Sequence, residues 1–324
     1  MRIAAIVNPE SGWGTAREQW SKLHASGLAE VRVETFWSEY PGHSVALAAG
    51  ARRSGYDRVV AVGGDGTLFE ILNGLWWERS GRLPSVGMVP LGTGCDYVRN
   101  FEIGRSLAAR FKTAVGSSTI EVSLGRCRIH DDAGPSERVF AMVMGLGFDA
   151  EVVRLFRTGR FGRAGWQAYA LSVLGAFRSL RPYALRGDID GRTFNVKVLS
   201  FGTALGRCFG RRMEIAPPAS PVRDDFELVW VEPVGFPRLL LTIMLSYFGA
   251  HYRLSWVRST RASRVFLDSF PTPPIEADGE LIGKTPVEIE IIPRAFSFAA
   301  KAVRRRNSPE RLFSQKSMDR DLDE

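Results

Sequence analysis

The feature that most constrains this chain is an apolar run that ends abruptly in a glycine-rich turn. Residues 59–62, Val-Val-Ala-Val, are long enough for a buried strand, and the sequence Gly-Gly-Asp-Gly-Thr follows directly at residues 63–67. A helical pattern of apolar residues then begins with Leu68. The stretch therefore predicts a strand, a tight loop and a helix start, with Thr67 as the N-cap of that helix.

A loop of this composition suits an anionic ligand. Three glycines in four positions allow positive φ angles and a close approach of the backbone, and free N–H groups at a helix start favour an anion, most often phosphate. The motif lacks the Lys-Ser/Thr ending of the P-loop and the spacing of the dinucleotide-binding fingerprint. For the Gly-Gly-Asp-Gly residues alone, a phosphate cradle and an ordinary tight turn both stay open.

The segments around this loop alternate as they do in a parallel sheet. Strands are predicted over residues 3–7, 31–37 and 86–89, with one helix at 15–24 and another running through residue 53. A second glycine-bearing exit, Pro-Leu-Gly-Thr-Gly-Cys-Asp, follows the strand at 86–89. Ligands of α/β sheets bind outside the carboxyl ends of the strands. Two glycine loops at two such ends favour a phosphate site over two unrelated turns.

The second part of the chain has a different character. Short strands dominate from residue 117, and the predicted ones cover residues 119–128, 138–144, 183–189, 192–201, 226–232, 264–267 and 286–292. Helices are predicted only at 149–157, 165–179 and 237–247. We therefore expect an α/β domain at residues 1–116, a β-rich, sandwich-like domain at 117–300 and a polar, partly disordered tail at 301–324.

Positive charge is concentrated in one region. The chain has a net charge of +8, whereas residues 154–212 alone hold 12 Lys or Arg against two Asp. Aromatic residues are interleaved with them, namely Phe156, Phe161, Trp166, Tyr169 and Phe177. This mixture suits an anionic membrane surface or another polyanion, and a solvated basic face over core aromatics stays open as the alternative.

Several classes of protein are disfavoured by what the sequence lacks. The three cysteines are far apart and odd in number, the four histidines show no metal-ligand spacing, and no Gly-x-Ser-x-Gly motif is present. The N-terminal apolar run is too short for a signal peptide, and the longest apolar stretches fall short of the ~20 residues that span a bilayer. We expect a cytoplasmic protein with no transmembrane segment.

Taken together, these motifs resemble the diacylglycerol kinase catalytic-domain family of bacterial lipid kinases. That family also includes sphingosine and ceramide kinases and is distantly similar to NAD kinases. The resemblance covers residues 1 to about 300, and its blocks are Asn8-Pro9, Ser11-Gly12, Ser38, Pro41-Gly42-His43, residues 63–67 with Glu70 and Asn73-Gly74, residues 90–96, 145–150 and 206–219, and Asp278-Gly279-Glu280.

The resemblance implies a fold and an activity. It implies a Rossmann-like N-terminal α/β nucleotide domain and a C-terminal β-sandwich-like domain, with the active site in the cleft between them. ATP and Mg²⁺ would be the cofactors, and the substrate would be a lipid hydroxyl at a membrane surface. The nucleotide would be held by Asn8, Ser38, Gly63, Gly64, Asp65, Gly66, Thr67, Glu70 and Thr93.

The same resemblance assigns the catalytic groups. Asp278 or Glu280 would accept the proton of the lipid hydroxyl, and Asp65 would help to position the metal and the phosphates. Taken alone, Asp278-Gly279 favours a type I′ turn in a hairpin over a functional role. A further acidic residue, Asp149, stands just after the glycine turn of the 145–150 block.

Four residues depart from the family's pattern. Cys95 stands where the second loop usually carries Asn, and Arg211-Arg212 stand where the family commonly has glycines. Arg223 occupies the position of a metal-site Asp, so that Asp224 would hold a structural Mg²⁺ only after a one-residue shift. The arginines could replace a cation or contact an anionic substrate.

The leading hypothesis is an ATP- and Mg²⁺-dependent lipid kinase for diacylglycerol or a related lipid. It would associate peripherally with membranes through residues 154–179, with no nucleic-acid partner, and a homodimer stays open. One rival is a nucleotide- or lipid-binding regulator that has lost catalysis. The other is a kinase for a soluble substrate, as in NAD kinases.

Overall fold

The computed structural model describes residues 1–26, 32–131, 134–159 and 166–304. Over this part of the chain two compact units are present, and each is described by itself. Unit 1 contains residues 1–124, 210–212 and 292–304, and unit 2 contains residues 125–209 and 213–291. Of the expected tail, residues 305–324 lie outside the described residues, and the expected boundaries of the domains stay a prediction.

Regular elements occupy most of the described chain. The helices are α1 (Ala16–Ala25), α2 (His43–Arg53), α3 (Asp65–Trp77), α4 (Leu107–Val115), α5 (Phe148–Arg157), α6 (Trp166–Ala176) and α7 (Phe236–Ser246). The strands are β1 (Ile3–Val7), β2 (Val33–Trp37), β3 (Arg58–Gly63), β4 (Ser85–Pro90), β5 (Thr119–Asp131), β6 (Gly134–Phe140), β7 (Val143–Gly147), β8 (Tyr183–Ile189), β9 (Arg192–Val198), β10 (Ser200–Ala204), β11 (Phe226–Val231), β12 (Val257–Ala262), β13 (Arg264–Phe270), β14 (Pro274–Ala277), β15 (Glu280–Lys284) and β16 (Val287–Ala299).

Unit 1 is built on a parallel sheet with the strand order β2-β1-β3-β4. All five residues of β1 and all six of β3 are buried. A strand that is covered on both faces has a continuous run of apolar residues, so apolar and polar residues do not alternate along it. One core cluster joins the sheet to α1 and α4 through Trp20 and Phe111, so the predicted α/β character of this region is confirmed.

The predicted N-cap of α3 is wrong. The helix begins at Asp65, and its N-cap is Gly64 in an extended conformation with no side-chain cap. Thr67 lies inside the first turn, where its hydroxyl is 3.4 Å from the Asn8 side-chain nitrogen. The helix therefore starts three residues earlier than expected, close to the end of β3.

Unit 2 is dominated by antiparallel strands. Six of them form a sheet in the order β12-β11-β10-β7-β14-β15. A second antiparallel set pairs β9 with β8 and β8 with β13. Phe194 on β9 stacks on Phe201 on β10, with ring centroids 6.4 Å apart, so aromatic side chains fill the space between the two sets. The expected β-rich second region is confirmed, and β14 and β15 are the strands of the hairpin that the turn at Asp278-Gly279 suggested. Strand β12 was not predicted, and the single strands predicted at 138–144 and 192–201 are each divided between two strands.

Three helices of unit 2 pack on the outside of its six-stranded sheet. A core cluster joins Phe148 and Leu155 of α5 to Leu239 of α7 and to Val229 of β11. All three helices had been predicted from the sequence to within two residues at their starts. No helix in the described part of the chain is both long enough and apolar enough to cross a membrane.

Candidate active site

Two glycine loops of unit 1 touch each other at the carboxyl ends of β3 and β4. The backbone N–H groups of Leu91 and Gly92 both donate to the carbonyl oxygen of Gly63, at 2.9 and 3.0 Å. A Cβ atom on Gly92 would lie 2.4 Å from the Cα atom of Gly64, a distance that no real Cβ adopts. Glycine is therefore required at position 92 by the contact between the loops, whatever the ligand.

A third loop, after β1, closes on the first. The backbone N–H of Asn8 donates to the carbonyl of Val62 at 3.0 Å. A Cβ atom on Gly63 would lie 2.5 Å from the Thr67 hydroxyl and 2.9 Å from the Ser11 hydroxyl. The structure thus brings together the predicted nucleotide residues Asn8, Gly63 and Thr67, at the edge of a parallel sheet where ligands bind.

Asp65 holds the second loop in place. Its two carboxylate oxygens accept hydrogen bonds from the backbone N–H groups of Asp96, at 2.8 Å, and Tyr97, at 3.2 Å. Burial, followed by the nearby charge of Asp96, raises the pKa of the Asp65 carboxyl to about 6. Since both oxygens already have donors in the protein, this side chain acts first as a link between the two loops.

Asp96 links the second loop to residues 210–212 in the same way. Its carboxylate accepts the backbone N–H groups of Arg211, at 2.8 Å, and Arg212, at 3.0 Å, and the Arg99 side chain at 3.0 Å. Gly210, Arg211 and Arg212 have φ angles of 63°, 68° and 76°. Successive N–H groups that converge in this way form an anion-binding concavity, and here Asp96 fills it.

The side chain of Arg211 reaches the second glycine loop. One of its guanidinium nitrogens is 3.4 Å from the hydroxyl of Thr93, which is exposed. A cation is thereby placed beside the loop that was predicted to bind the nucleotide. Sequence reasoning did not select Asp96 or Arg211 as site residues, although the arginines in place of glycines were the signal that could have found them.

Cys95 takes part in the same loop contact. Its thiol is 3.3 Å from the carbonyl of Gly92 and 3.7 Å from that of Gly63, and its φ angle is 52°. Burial raises the pKa of the Cys95 thiol to about 12, so it stays protonated and can act as a weak donor. The departure from Asn at this position therefore keeps a side-chain bridge between the loops.

Of the remaining predicted nucleotide residues of unit 1, Gly66 lies in the first turn of α3, and Ser38 and Glu70 have structural partners. Ser38 follows β2, and its backbone N–H donates to the carbonyl of Val7 at 2.9 Å. The Glu70 carboxylate accepts the backbone N–H of Gly42 at 3.0 Å. Gly42 has a φ angle of 87° and precedes α2, so Glu70 links α3 to the start of the neighbouring helix.

In unit 2, Asp278 and Gly279 form the two-residue turn between β14 and β15. Their φ angles are 49° and 87°, and a positive φ at both positions is the mark of a type I′ turn. The Asp278 carboxylate is buried and accepts three backbone N–H groups, from Ala141, Met142 and Val143, at 2.7, 2.9 and 3.0 Å. Asp278 therefore binds the turn to the start of β7.

Glu280, the second acidic residue of this turn, is held by an arginine. The Arg157 guanidinium forms an ion pair with its carboxylate and donates to the carbonyl of Gly279 at 3.0 Å. Arg157 is the last residue of α5, so the ion pair joins that helix to the hairpin. The structure thus gives both acidic groups of the Asp-Gly-Glu motif well-defined partners inside unit 2.

A second pair of acidic side chains lies next to this hairpin. Gly145 separates them: a Cβ atom there would be 2.8 Å from Glu276 Oε1 and 3.6 Å from Asp149 Oδ2. The Ser200 hydroxyl donates to Asp149 Oδ2 at 2.7 Å. Glu276 is 0% exposed; its Oε2 accepts the N–H of Gly279 at 2.8 Å, and its Oε1 has no partner among the described residues.

Burial raises the pKa of both carboxyl groups. It brings the pKa of Asp149 to about 6 and lifts that of Glu276 well above the ordinary value for a glutamate. The burial of Glu276 therefore favours its neutral form, and the pKa of Asp149 lies within reach of physiological pH. Asp149 is part-exposed, and the sequence had singled it out, whereas Glu276 was noted only as part of the acidic stretch at residues 276–280 and was given no role.

A structural Mg²⁺ site at Asp224 does not fit the residues that are present. Asp224 is exposed, and the adjacent Arg223 is paired with Asp225. Among the described residues no group of three or more Asp, Glu, His or Cys side chains could hold a metal ion. Mg²⁺ takes oxygen ligands in a near-octahedral set, and an arginine in this position supplies none.

Family models account for both units of the chain. The model of the diacylglycerol kinase catalytic domain matches residues 2–127. The model described as the YegS C-terminal NAD kinase beta sandwich-like domain matches residues 142–300. Together they cover nearly all the described chain.

Known proteins agree with these matches. The chain is 28% identical to a diacylglycerol kinase of Mycobacterium tuberculosis strain H37Rv over 306 residues, which is 91% of this chain and 93% of the relative. It is 25% identical to a diacylglycerol kinase of Bacillus subtilis over 293 residues, with coverages of 89% and 92%. The crystal structure of a diacylglycerol kinase from Bacillus anthracis covers 93% of this chain with a TM-score of 0.68 and 16% identity, and so shares its fold.

Two domains in this order, an α/β domain with paired glycine loops and an antiparallel β domain, define a class of lipid kinase-like proteins. The first domain matches the diacylglycerol kinase catalytic domain and the second matches the C-terminal domain that goes with it, so the resemblance noted in the sequence is confirmed.

Proposed function

We propose that the chain is an ATP-dependent lipid kinase that transfers the γ-phosphate of ATP to a hydroxyl of diacylglycerol or a related lipid. The observation that carries this proposal is the linkage of loops at the ends of β3 and β4. Asp65 joins the first loop to the second, and Asp96 joins the second to residues 210–212. Loops fixed in this way present their backbone without reorganisation when a phosphate group binds.

Unit 1 supplies the phosphate-binding groups in this proposal. Backbone N–H groups around Gly64 and the start of α3 face the position of an anion at a helix N-terminus. The Arg211 guanidinium, beside Thr93, adds a positive charge to the same loop. Mg²⁺ would arrive bound to the phosphates of ATP, where it neutralises part of their charge and needs no dedicated protein cage.

Asp149 is the group proposed to accept the proton of the lipid hydroxyl. A general base works best when its pKa lies near the working pH, and burial brings the pKa of Asp149 to about 6. The Ser200 hydroxyl fixes the orientation of its carboxylate. Asp278 and Glu280, the bases implied by the family resemblance, are in this proposal residues that position the hairpin beside Glu276.

The proposal keeps the lipid at a membrane surface. The basic segment of residues 154–179 suits contact with anionic headgroups, and within it Arg154 and Arg157 are already paired with Glu151 and Glu280 whereas Arg178 is not part of an ion pair with any described residue. Residues 160–165 of that segment lie outside the described residues. Cytoplasmic location and peripheral attachment to membranes are parts of the same proposal.

The test is transfer from labelled ATP to a total bacterial lipid extract. The unmodified protein should yield a labelled phospholipid, and Asp149→Asn should abolish it while ATP still binds. NAD in place of lipid provides the control for a kinase of soluble substrates. The proposal fails if no extract gives a labelled lipid although the protein binds ATP, because that result describes a nucleotide-binding regulator.

A further inference from the structure

Helix α7 of unit 2 has its apolar side turned outward. Its buried positions include Thr242 and Ser246, which are polar. Large apolar residues on and just after the helix are exposed instead, and they are Phe236, Leu240, Leu241, Met244, Tyr247 and Phe248. We call these six residues the α7 face. Surface helices ordinarily show the opposite distribution, with the apolar side facing the core.

The helix is firmly seated despite this distribution. The Trp256 indole N–H donates to the Thr242 hydroxyl at 3.0 Å, and that hydroxyl donates to the carbonyl of Arg238 at 2.8 Å. The Ser246 carbonyl accepts the backbone N–H of Glu214 at 2.7 Å, and Leu239 packs in the core cluster. The α7 face is therefore presented by a fixed element rather than by a loosely attached one.

The exposed residues form one continuous surface. Positions 236, 240, 244, 247 and 248 are spaced by three or four residues, or adjoin, so they share one side of the helix. Met244 is 60% exposed and Phe248 is 74% exposed. Single exposed apolar residues are ordinary, but a contiguous apolar surface of this kind marks a protein or membrane contact.

Charge around the α7 face identifies its partner. Residues 233–267 contain five arginines and no Asp or Glu, and two of the five, Arg258 and Arg261, are paired with Glu232 and Glu227. Arg238 and Arg253 are exposed, and neither forms an ion pair with any described residue. A symmetric contact between two copies would bring the same arginines together from both sides. An anionic bilayer accommodates both the apolar residues of the α7 face and the arginines beside them, since apolar side chains enter the headgroup boundary and arginines bind phosphates.

We infer that the α7 face is a docking surface for a lipid bilayer that carries anionic headgroups. The inference rests on the proposed lipid-kinase function and names the element that brings unit 2 to its substrate. It moves the main apolar contact from the segment at residues 154–179 to residues 236–248. Docking of this kind needs no ATP, so it can be measured apart from catalysis.

The experiment is co-sedimentation of the full chain with vesicles in the absence of nucleotide. Vesicles of equimolar phosphatidylcholine and phosphatidylglycerol should bind the protein more tightly than vesicles of phosphatidylcholine alone. Phe248→Glu should weaken this binding by about tenfold, because the variant loses the apolar contact that the phenylalanine ring makes in the headgroup boundary. Arg238→Gln should weaken it by about fivefold and only on the anionic vesicles.

Phe270 provides a matched control. It is 76% exposed and lies on β13, away from α7 in the sequence, so Phe270→Glu should leave vesicle binding unchanged. Equal binding by Phe248→Glu and the unmodified chain would overturn the inference, as would equal losses in the two phenylalanine variants. A dimer that Phe248→Glu dissociates, with vesicle binding intact, would also overturn it and assign the α7 face to a second copy.

Failure of the kinase proposal gives a different result. Phe248→Glu should still phosphorylate a short-chain diacylglycerol that is soluble in water, and it should lose activity only on vesicles. A chain that binds anionic vesicles through the α7 face but phosphorylates no lipid would refute the proposed function alone.

Discussion

Asp278→Asn tests whether the acidic residue of the β14–β15 turn is an anchor or a base. The side chain is buried, and its two oxygens accept N–H groups from Ala141, Met142 and Val143. Asparagine keeps one oxygen and replaces the other with an NH₂ group. That NH₂ group would face a backbone N–H, so one bond is lost, two donors lack an acceptor and the remaining bonds lose their charge.

The magnitude follows from these contacts. A hydrogen bond to a charged group contributes about 1.5–3 kcal/mol, a neutral one about 1 kcal/mol, and an unsatisfied buried donor costs about 1–3 kcal/mol. We expect Asp278→Asn to lower the free energy of unfolding by about 3 kcal/mol. Asparagine tolerates the left-handed φ of 49° well, which offsets only a few tenths of this loss.

The assay is urea denaturation followed by tryptophan fluorescence. Glu280→Gln is the matched control, since it removes one part-exposed ion pair with Arg157 and should cost less than about 1 kcal/mol. If Asp278→Asn is as stable as the unmodified chain but inactive, the anchoring argument is wrong and Asp278 regains the role of base. Loss of activity alone would decide nothing, because an unanchored hairpin also displaces Glu276.

Two further predictions concern the buried acid of unit 2 and the glycine loops. The pKa of Asp149 is raised from 3.8 to about 6, so the folded state binds an extra proton between these pH values and its stability falls as pH rises through that window. The free energy of unfolding of Asp149→Asn should therefore exceed that of the unmodified chain by about 1–3 kcal/mol at pH 7.5, with no such gain near pH 4. Equal stability of the two proteins at both pH values in urea would contradict the shift. Gly92→Ala places a Cβ atom 2.4 Å from the Gly64 Cα and should weaken ATP binding at least about tenfold in a fluorescent-nucleotide displacement assay, whereas Gly50→Ala, with no atom closer than 4.0 Å, should leave ATP binding intact. Unchanged affinity in Gly92→Ala would show that the two loops separate freely.

Local sequence patterns predicted the fold of each unit well. The apolar run at residues 59–62 and its glycine turn gave the end of β3 and the start of a helix, because burial on both faces leaves a continuous apolar pattern. Helix α4 was not predicted, although Ser106 caps it by accepting the N–H of Ala109, since its nine residues show no long apolar repeat. Strands β14 and β15 are only four and five residues long, and their pairing depends on the turn at Asp278.

The candidate site was harder to predict because partners decide what a carboxylate does. The sequence motifs selected Asp65 and Asp278, yet the carboxylate oxygens of both residues accept hydrogen bonds from backbone N–H groups of distant segments. Those donors are 31 and 137 residues away in the chain, and no local pattern records them. Glu276 was given no role for the same reason, since its environment is made by Gly145 and Asp149 from other elements.

Cys95 gives the paired loops a property that concerns motion. Its thiol is buried between the carbonyls of Gly63 and Gly92, and a thiol with a pKa of about 12 offers almost no thiolate to an electrophile. A thiol reagent can therefore reach it only when the two loops part. The rate at which Cys95 is alkylated therefore reports how often unit 1 opens locally. A bound nucleotide that holds the two loops together would lower the population of the open state and would slow the alkylation in proportion.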